Sequence, residues 1–405
     1  MNAIIKTFKV TSLTLIATIF TLGFSSVSFA QVVTTDEDPI ATATVAGVIP
    51  LNPNCNIWVS PTGANNSFTS IQAAIDTAAP NSTICLVGGI YRRTIDAQHP
   101  YPQAVVTVYN KPFQLLGGFP SVNSNIRNPS QFPSVIDGET LYTGISAAAV
   151  SSSLIDGIVI YGTTQGIGAG GTNTNLTINN VVFRLNRQPQ GTGSALTNSN
   201  YGNVTITNCL FDSNTSMNGV LANLTATMTI NKSTFINNTG RAIANSGLLG
   251  SPNTATMTIK NSLFVGNGYI HASTEAGTAI MNQATMPIIN STFALNNYYT
   301  TPAIYSWAYS NTTLKNVIEW DNNPFGNLGS EPYVRNVSYS ITRNGYAGAT
   351  NSSADPQFVG YYNNNFHLSA SSPAINHGTN VDAPTDDRDS LPRDNSVDIG
   401  AYEYR

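Results

Sequence analysis

Two aspartates are the carboxylates best placed to do chemistry. Asp137 and Asp156 each precede a glycine, in the segments VIDG and LIDG. A pair of carboxylates on neighbouring turns of the chain could act as the acid and the base of glycoside hydrolysis. An Asp before Gly is also a common turn, because Asp bonds its own backbone and Gly tolerates a positive φ. We favour the turn. The other weak catalytic candidates are Arg92, His99 and Glu139.

The middle of the chain is poor in acids. Between Tyr161 and Ser310 the acids are Asp212 and Glu275. Asp212 and Asp321 each follow an aromatic residue of a sequence repeat, but four repeats separate them, which is about 19 Å at the usual strand spacing. A glycosidase pair lies roughly 5–10 Å apart. This stretch therefore predicts no catalytic pair, and whether the protein is an enzyme stays open.

A group of aromatic residues near position 305 suits binding better than catalysis. If Ile304 faces the core, strand alternation sends Tyr305, Trp307 and Tyr309 outward. Aromatic rings on one strand could stack against sugar rings. Alternatively, the loop 324–346 could cover them. A polysaccharide or a cell-surface glycan is therefore the partner that the sequence suggests.

The end of the chain is rich in acids. Seven of the 21 acids lie there: Asp382, Asp386, Asp387, Asp389, Asp394, Asp398 and Glu403. Because Arg388, Arg393 and Arg405 lie among them, we expect salt bridges and turn hydrogen bonds that fasten a C-terminal cap. Calcium binding is the alternative. The sequence indicates no other cofactor or metal.

The three cysteines have no metal or redox spacing. Cys55 and Cys85 each adjoin an apolar, strand-like run, and in an oxidising compartment they could form a disulfide. Cys209 lies beside Leu210 and Phe211 and is interpreted as a small buried residue.

A sequence repeat must position all of these residues. The pattern is Ile, four residues, Phe, two residues, Asn. Its five copies are Ile178–Phe183–Asn186, Ile206–Phe211–Asn214, Ile230–Phe235–Asn238, Ile259–Phe264–Asn267 and Ile288–Phe293–Asn296. A looser sixth copy is Leu314–Trp320–Asn323, with Trp320 in the core position. Successive Phe residues are 28, 24, 29 and 29 positions apart, a period that is typical of a solenoid.

Each repeat predicts short strands rather than helices. Thr, Ile, Val and Phe favour strands, and the Gly and Asn residues between them favour turns. Coils of one chain that wind in one sense bring such strands into parallel register. The fold class is therefore all-β, a parallel β-helix. Asparagines two residues after the Ile predict a ladder of stacked amides, which Lys232 interrupts. They are Asn180, Asn208, Asn261 and Asn290, with Asn316 two after Leu314.

A short amphipathic helix precedes the repeats. Ser70 can cap it, and Ile71, Ala74, Ile75 and Ala78 share one face. A helix at the start of a solenoid would close the open end of its apolar stack.

The chain begins with the layout of a secretory signal peptide. Lys6 and Lys9 precede an apolar run over 10–24, and small residues stand at Ser28 and Ala30. The run is short for a bilayer span of about 20 residues, and no later stretch is apolar enough to cross a membrane. We expect residues 1–30 to be removed and residues 31–54 to be a linker. The mature protein is then secreted, extracellular or on the cell surface, with the periplasm as the alternative.

Charge excludes some classes of partner. Charged residues make up 9% of the chain, against about 25% in ordinary globular proteins. Residues 1–30 contain Lys6 and Lys9 but no Asp or Glu, so their removal would change the net charge from −4 to −6. Such a chain lacks the large positive surface potential that attracts nucleic acid.

These features resemble those of secreted right-handed parallel β-helix proteins of the pectin-lyase-like class. The segment 58–92, with WVSPTG, IQAAIDTA and GGIYR, is similar to the entry coil and cap of many bacterial β-helices. The Phe-x-x-Asn repeats resemble those of the chlamydial polymorphic outer-membrane proteins. The segment 372–405 resembles a C-terminal module common in bacterial β-helix surface proteins, although Ser390 replaces that module's usual Gly. The resemblance implies a β-helix over 55–350 and a C-terminal cap module over 351–405.

The sequence thus favours a surface-exposed β-helix that binds rather than catalyses, as an adhesin-like or glycan-binding module. A polysaccharide lyase or glycoside hydrolase of the pectin-lyase-like class is the alternative, because this fold carries many activities.

Overall fold

The computed structural model of the protein describes residues 54–95, 98–99, 103–247, 254–268, 279–296, 303–307, 310–322 and 334–405. The expected signal peptide and nearly all of the linker lie outside these residues, as do Tyr309 and Asn323. No helix within the described ranges is long and apolar enough to span a bilayer.

The chain forms a right-handed parallel β-helix, as the sequence predicts. Most coils contribute one strand to each of three parallel sheets, named A, B and C, in the described part of the chain. The strands of sheet A are β1 (Ile57–Val59), β2 (Ser82–Val87), β5 (Phe113–Phe119), β8 (Ser153–Asp156), β11 (Asn175–Asn179), β15 (Asn203–Thr207), β19 (Thr227–Asn231), β23 (Thr256–Lys260), β26 (Thr285–Ile289), β29 (Asn311–Lys315) and β31 (Val334–Ser338).

Sheets B and C are built in the same way. Sheet B contains β3 (Gly89–Tyr91), β6 (Ser134–Asp137), β9 (Ile158–Tyr161), β12 (Val182–Arg184), β16 (Leu210–Asp212), β20 (Thr234–Ile236), β24 (Leu263–Val265), β27 (Thr292–Ala294), β30 (Ile318–Trp320) and β32 (Ile341–Thr342). Sheet C contains β4 (Ala104–Tyr109), β7 (Thr143–Ala148), β10 (Gln165–Gly170), β14 (Leu196–Ser199), β18 (Leu221–Leu224), β22 (Ile243–Ser246), β25 (Ile280–Asn282) and β28 (Ile304–Ser306).

Few further elements are regular. A small parallel sheet joins β13 (Arg187–Gln188), β17 (Thr215–Ser216) and β21 (Thr239–Gly240). Near the C-terminus β33 (Phe358–Gly360) and β34 (Asn365–Leu368) pair antiparallel, and Ala64–Asn66 and Tyr361–Asn363 form short 3₁₀ turns.

Helix α1 (Ile71–Thr77) confirms the predicted helix at the start of the rod. The Ser70 side chain accepts a hydrogen bond from the Ala73 amide at 3.3 Å, which caps the first turn. Ile71, Ala74 and Ile75 are buried in the same core cluster as the strand residues. The amphipathic face therefore packs on the first coils as expected.

The repeat fills the interior with stacked rings. Phe183, Phe211, Phe235, Phe264 and Phe293 are fully buried, and successive ring centroids lie 4.7, 4.4, 4.7 and 4.5 Å apart with nearly parallel planes. Strand pairing places equivalent residues of adjacent coils above one another, so a residue type that repeats in sequence becomes a column in space.

Asparagines form ladders along the rod. Two residues after the motif Ile, Asn208 donates to Asn180 at 2.6 Å and Asn316 donates to Asn290 at 3.1 Å. Their backbones are left-handed, a conformation that Asn tolerates. The motif asparagines form a second, buried ladder in which the amide of one coil bonds the amide of the next: Asn186, Asn214, Asn238, Asn267, Asn296 and Asn322.

The sixth copy of the repeat was assigned wrongly. Strand pairing aligns Phe293 with Glu319 and Ala294 with Trp320. Trp320 is therefore an outward, half-buried residue, and Asn322 rather than Asn323 continues the ladder. The corrected copy, Leu314–Glu319–Asn322, keeps the spacing of the others. The sequence prediction follows the aromatic residue, whereas the structure keeps the spacing and changes the residue type.

The segment 351–405 lies against the flank of the rod. Phe366 and Tyr402 pack on Leu263, Val265 and Ala294, which lie on the outward side of sheet B. Further along, Leu368, Ala374 and Ile399 cover Ile318 and Ile341 of the same sheet. From β24 to β32 the apolar outward side of sheet B is thus buried by the chain's own C-terminal segment.

Two cysteines join the first strands of sheet A. The Sγ atoms of Cys55 and Cys85 form a disulfide with a bond of 1.97 Å. Cys209 is free and buried, and burial raises the pKa of its thiol to about 12. Its sulfur accepts a hydrogen bond from the Val181 amide at 3.4 Å, in the position where later coils use the hydroxyls of Ser233 and Ser262.

Candidate functional site

The aromatic strand has the alternation that the repeat predicts. Ile304 and Ser306 face the interior and are almost fully buried, whereas Tyr305 is half-buried and Trp307 is 44% exposed. Tyr309, the third residue of the predicted stripe, lies outside the described residues. Trp307 therefore presents an indole to solvent at the end of β28.

The two rings form a corner rather than a flat strip. The centroids of Tyr305 and Trp307 lie 6.5 Å apart and their planes are perpendicular. This edge-to-face contact is a favoured arrangement of aromatic rings. A sugar ring could stack on the indole while the phenol closes one side.

Hydrogen bonds hold the backbone of Trp307 on both sides. Its amide donates to the Asn282 carbonyl at 3.0 Å, and its carbonyl accepts from the Ser310 amide at 2.9 Å and the Ser310 hydroxyl at 2.7 Å. Beneath it, Thr312 is hydrogen-bonded to Ser306 at 2.6 Å. A binding residue with a fixed backbone loses little entropy when a ligand binds.

The residues next to this corner in sheet C are apolar and nearly buried. Met281 pairs with Tyr305 in the strand register, and Ala244 pairs with Met281. Because Met281 is 9% exposed and Ala244 2%, they add little open surface beside Trp307. Of the loop expected to cover the aromatics, residues 324–333 lie outside the described residues, and Tyr346 packs against the main core.

The first candidate acid, Asp137, is tied to its neighbours. Its Oδ2 lies 2.9 Å from the Nε of Arg92, and its Oδ1 accepts the Glu139 amide at 2.9 Å. The same Arg92 Nε lies 3.9 Å from a Glu139 carboxylate oxygen. Asp137 thus forms the side-chain turn that we favoured and one partly exposed ion pair.

The second candidate acid, Asp156, is buried and satisfied. Arg127, whose side chain is fully buried, donates to the Asp156 carboxylate at 2.9 Å and to its carbonyl at 2.6 Å. Asn180 donates to the remaining carboxylate oxygen at 3.0 Å. Arg127 is a residue that sequence reasoning missed, because nothing in its local sequence marks it as buried.

The two Asp-Gly segments do not occupy equivalent positions. Asp137 ends β6 in sheet B, whereas Asp156 ends β8 in sheet A. The similarity of VIDG and LIDG therefore reflects two strand ends of the same type rather than one motif on neighbouring coils. The other candidate, His99, lies 3.7 Å from Asp76 beside α1.

Asp212 and Asp321 are not equivalent either. In sheet B the position of Asp212 corresponds to Trp320, by way of Ile236, Val265 and Ala294. Asp212 pairs with Arg184 at 3.3 Å. Asp321 pairs with Arg343 and accepts the Tyr361 hydroxyl at 2.8 Å.

Glu319 is an acid that sequence reasoning did not single out. It takes the place of Phe at the end of the ring stack and is 7% exposed. Burial raises its pKa above the ordinary value, against the lowering effect of the Asn322 amide and of Arg343. The Asn322 side chain donates to it at 2.8 Å. The repeat spacing from Leu314 was the signal that could have identified it.

The acids near the C-terminus are held by protein donors. Lys232 contacts Asp386, Lys315 contacts Asp382 at 2.6 Å, and Arg393 contacts Glu403 at 2.6 Å. Burial raises the pKa of both Asp398 and Glu403. Within the described ranges no group of three or more His, Cys, Asp or Glu side chains could hold a metal ion.

Comparison with known proteins gives distant similarities. No protein-family model and no curated protein matches the chain. The crystal structure of pectate lyase Pel9A is 15% identical with a TM-score of 0.47, and the match covers 86% of this chain and 96% of that one. Pectin methylesterase from carrot is 10% identical with a TM-score of 0.40, covering 70% and 88%. Pectin methylesterase from Aspergillus niger is 13% identical with a TM-score of 0.36, covering 75% and 93%. These similarities assign no activity to this chain, and its strand pairing by itself defines the β-helix.

Proposed function

We propose that the chain is a secreted β-helix that binds a glycan through Tyr305 and Trp307 and does not cleave it. The observation that carries this proposal is the exposed indole of Trp307 on a backbone fixed at both its amide and its carbonyl. Tryptophan is the aromatic side chain with the largest face for stacking on the apolar side of a sugar ring.

The state of the acids favours binding over cleavage. Asp137 is engaged by Arg92 and a backbone amide, and Asp156 by Arg127 and Asn180. A general acid or base must reach the scissile bond with a free oxygen lone pair or proton. The contacts of both carboxylates, and their positions in different sheets, support binding rather than cleavage.

The test is a glycan array followed by titration of the best ligand. Trp307→Ala should lower affinity by about tenfold or more, since truncation of an aromatic residue that anchors a ligand commonly costs about 2 kcal/mol or more. Tyr109→Ala is the matched control, because Tyr109 is a 74% exposed aromatic at the far end of the same sheet. Both variants should keep the melting temperature of the wild type.

Two results would contradict the proposal. One is the absence of binding by the wild type to every glycan on the array. The other is the release of new reducing ends or unsaturated products from a panel of uronate-containing and neutral polysaccharides, with loss of that activity in Asp137→Asn. The second result would establish the lyase or hydrolase alternative.

A further inference from the structure

The outward face of sheet A contains two columns of uncharged residues. Strand register aligns one residue of each strand with its equivalent on the next, from β11 to β29. Column one contains Asn175, Asn203, Thr227, Thr256, Thr285 and Asn311. Column two contains Thr177, Thr205, Thr229, Thr258, Pro287 and Thr313. Eight of these twelve residues are Thr, and none carries a charge.

Both columns reach the surface. The residues between them, such as Leu176 and Val204, are fully buried, so alternation points the columns outward. In column one Asn175, Asn203, Thr227 and Asn311 are exposed. Column two lies at the centre of the strands and is half-buried throughout.

Strand propensity alone does not explain this composition. A third column on the same face contains Asn179, Thr207, Asn231, Lys260, Ile289 and Lys315. The outward face of sheet A thus tolerates charged side chains, and Lys315 forms an ion pair with Asp382 of the C-terminal segment. The outward face of sheet C shows no Thr repeat, since Thr197 is followed in register by Ala222, Ala244, Met281 and Tyr305.

The two columns form a lattice. Adjacent strands lie about 4.8 Å apart, and residues two positions apart on a strand lie about 6.6 Å apart, so six strands extend over about 24 Å. The stacked rings and the buried amide ladder run behind these same coils and fix their spacing. The side chains of this face are evenly spaced in two directions. They can all make the same contact at once only with a ligand whose own groups are evenly spaced in two directions.

The side chains decide which repeating ligand fits. An ionic mineral surface requires charged groups, and neither column has any. A crystalline polysaccharide surface favours aromatic platforms, and neither column has an aromatic ring. A Thr side chain offers a hydroxyl that bonds a water oxygen and a methyl group that occupies the space between waters. In hexagonal ice the oxygens repeat along one axis at nearly the spacing of β-strands. We propose that columns one and two of sheet A bind the surface of ice.

The test measures thermal hysteresis and crystal shape with the full mature chain in a nanolitre osmometer. The wild type should hold the freezing point below the melting point and produce faceted crystals. Thr229→Lys combined with Thr258→Lys should remove both effects, because two long cations at the centre of the lattice hold the face away from an ice plane. The matched control is Thr207→Lys, which adds a lysine to the third column of the same sheet.

Each possible result either supports the ice-binding proposal or overturns it. Equal hysteresis in the double variant and the wild type, or no hysteresis and round crystals with the wild type, would overturn the proposal. Retention on crystalline cellulose or chitin that the double variant loses, without hysteresis, would assign the face to a polysaccharide instead. Circular dichroism and melting temperature of each variant show that the fold is intact. Trp307→Ala should leave hysteresis unchanged, so this test does not depend on the glycan proposal.

Discussion

The stack of phenylalanines predicts an unusually clear stability effect at its centre. Phe235 is fully buried, and its ring lies parallel to Phe211 at 4.4 Å and to Phe264 at 4.7 Å. Replacing a buried Phe by Ala costs about 3–5 kcal/mol. Because Phe235→Ala also removes two ring contacts of about 0.5–1.5 kcal/mol each, we expect a loss in the upper half of that range, about 4–5 kcal/mol.

Phe183→Ala is the matched control for the stacking contribution. Phe183 is equally buried, but it stacks on Phe211 at one side and pairs with Ile160 at the other. Its replacement should cost less than that of Phe235 by about one ring contact, 0.5–1.5 kcal/mol.

Urea unfolding followed by far-UV circular dichroism measures both variants, with hydrogen exchange of the flanking strands as a second measurement, since coils of a solenoid unfold as coupled neighbours. A loss well below about 1 kcal/mol for Phe235→Ala would refute the inward facing of the motif Phe. Equal losses for the two variants would mean that ring stacking adds nothing to burial.

Two further predictions concern residues that depart from the repeat. Glu319→Gln should raise stability at pH 7 and leave it unchanged well below the ordinary pKa of 4.5. The pKa of Glu319 is raised in the folded protein, so the wild type loses stability as pH rises and this carboxyl group ionises, whereas Gln cannot ionise. Thermal melts from pH 3 to 8 in which both proteins show parallel curves would contradict this. Lys232→Asn should lower the free energy of local unfolding of the C-terminal segment by about 1 kcal/mol. The loss is small because Asp386 is 36% exposed and solvent screens its ion pair with Lys232. Faster hydrogen exchange over residues 382–393 with unchanged exchange in sheet A is the expected result, and uniform loss of protection along the rod would show that Lys232 supports the coils themselves.

Much of the fold was predictable because the repeat determines it locally. The spacing of Ile178, Phe183 and Asn186 fixes one inward aliphatic, one inward ring and one turn amide per coil, and parallel register then turns each position into a column. The helix at Ile71 was predictable for the same reason, since Ser70 and the apolar face lie within a few residues of each other.

The candidate site was predictable only in part. Alternation from Ile304 correctly placed Tyr305 and Trp307 outward. The partners of the acids were not predictable, because Arg127 lies 29 residues from Asp156 and Lys232 lies 154 residues from Asp386. Such contacts depend on the path of loops and of the C-terminal segment, neither of which follows the repeat.

Departures from the repeat show where the coils meet other structural features. Where Lys232 replaces Asn, the coil gains a contact to Asp386 and the C-terminal segment begins to cover sheet B. Where Glu319 replaces Phe, the ring stack ends beside Asn322. Lys232 therefore marks a place where the rod meets another part of the chain, and Glu319 marks the end of the ring stack. The Thr columns of sheet A show the opposite behaviour, since they stay regular at surface positions where the fold would accept charge, as Lys260 and Lys315 demonstrate on the same sheet. Regularity that packing does not require points to a ligand that is itself regular, and this is why we assign that face, rather than the interior repeat, a binding role of its own.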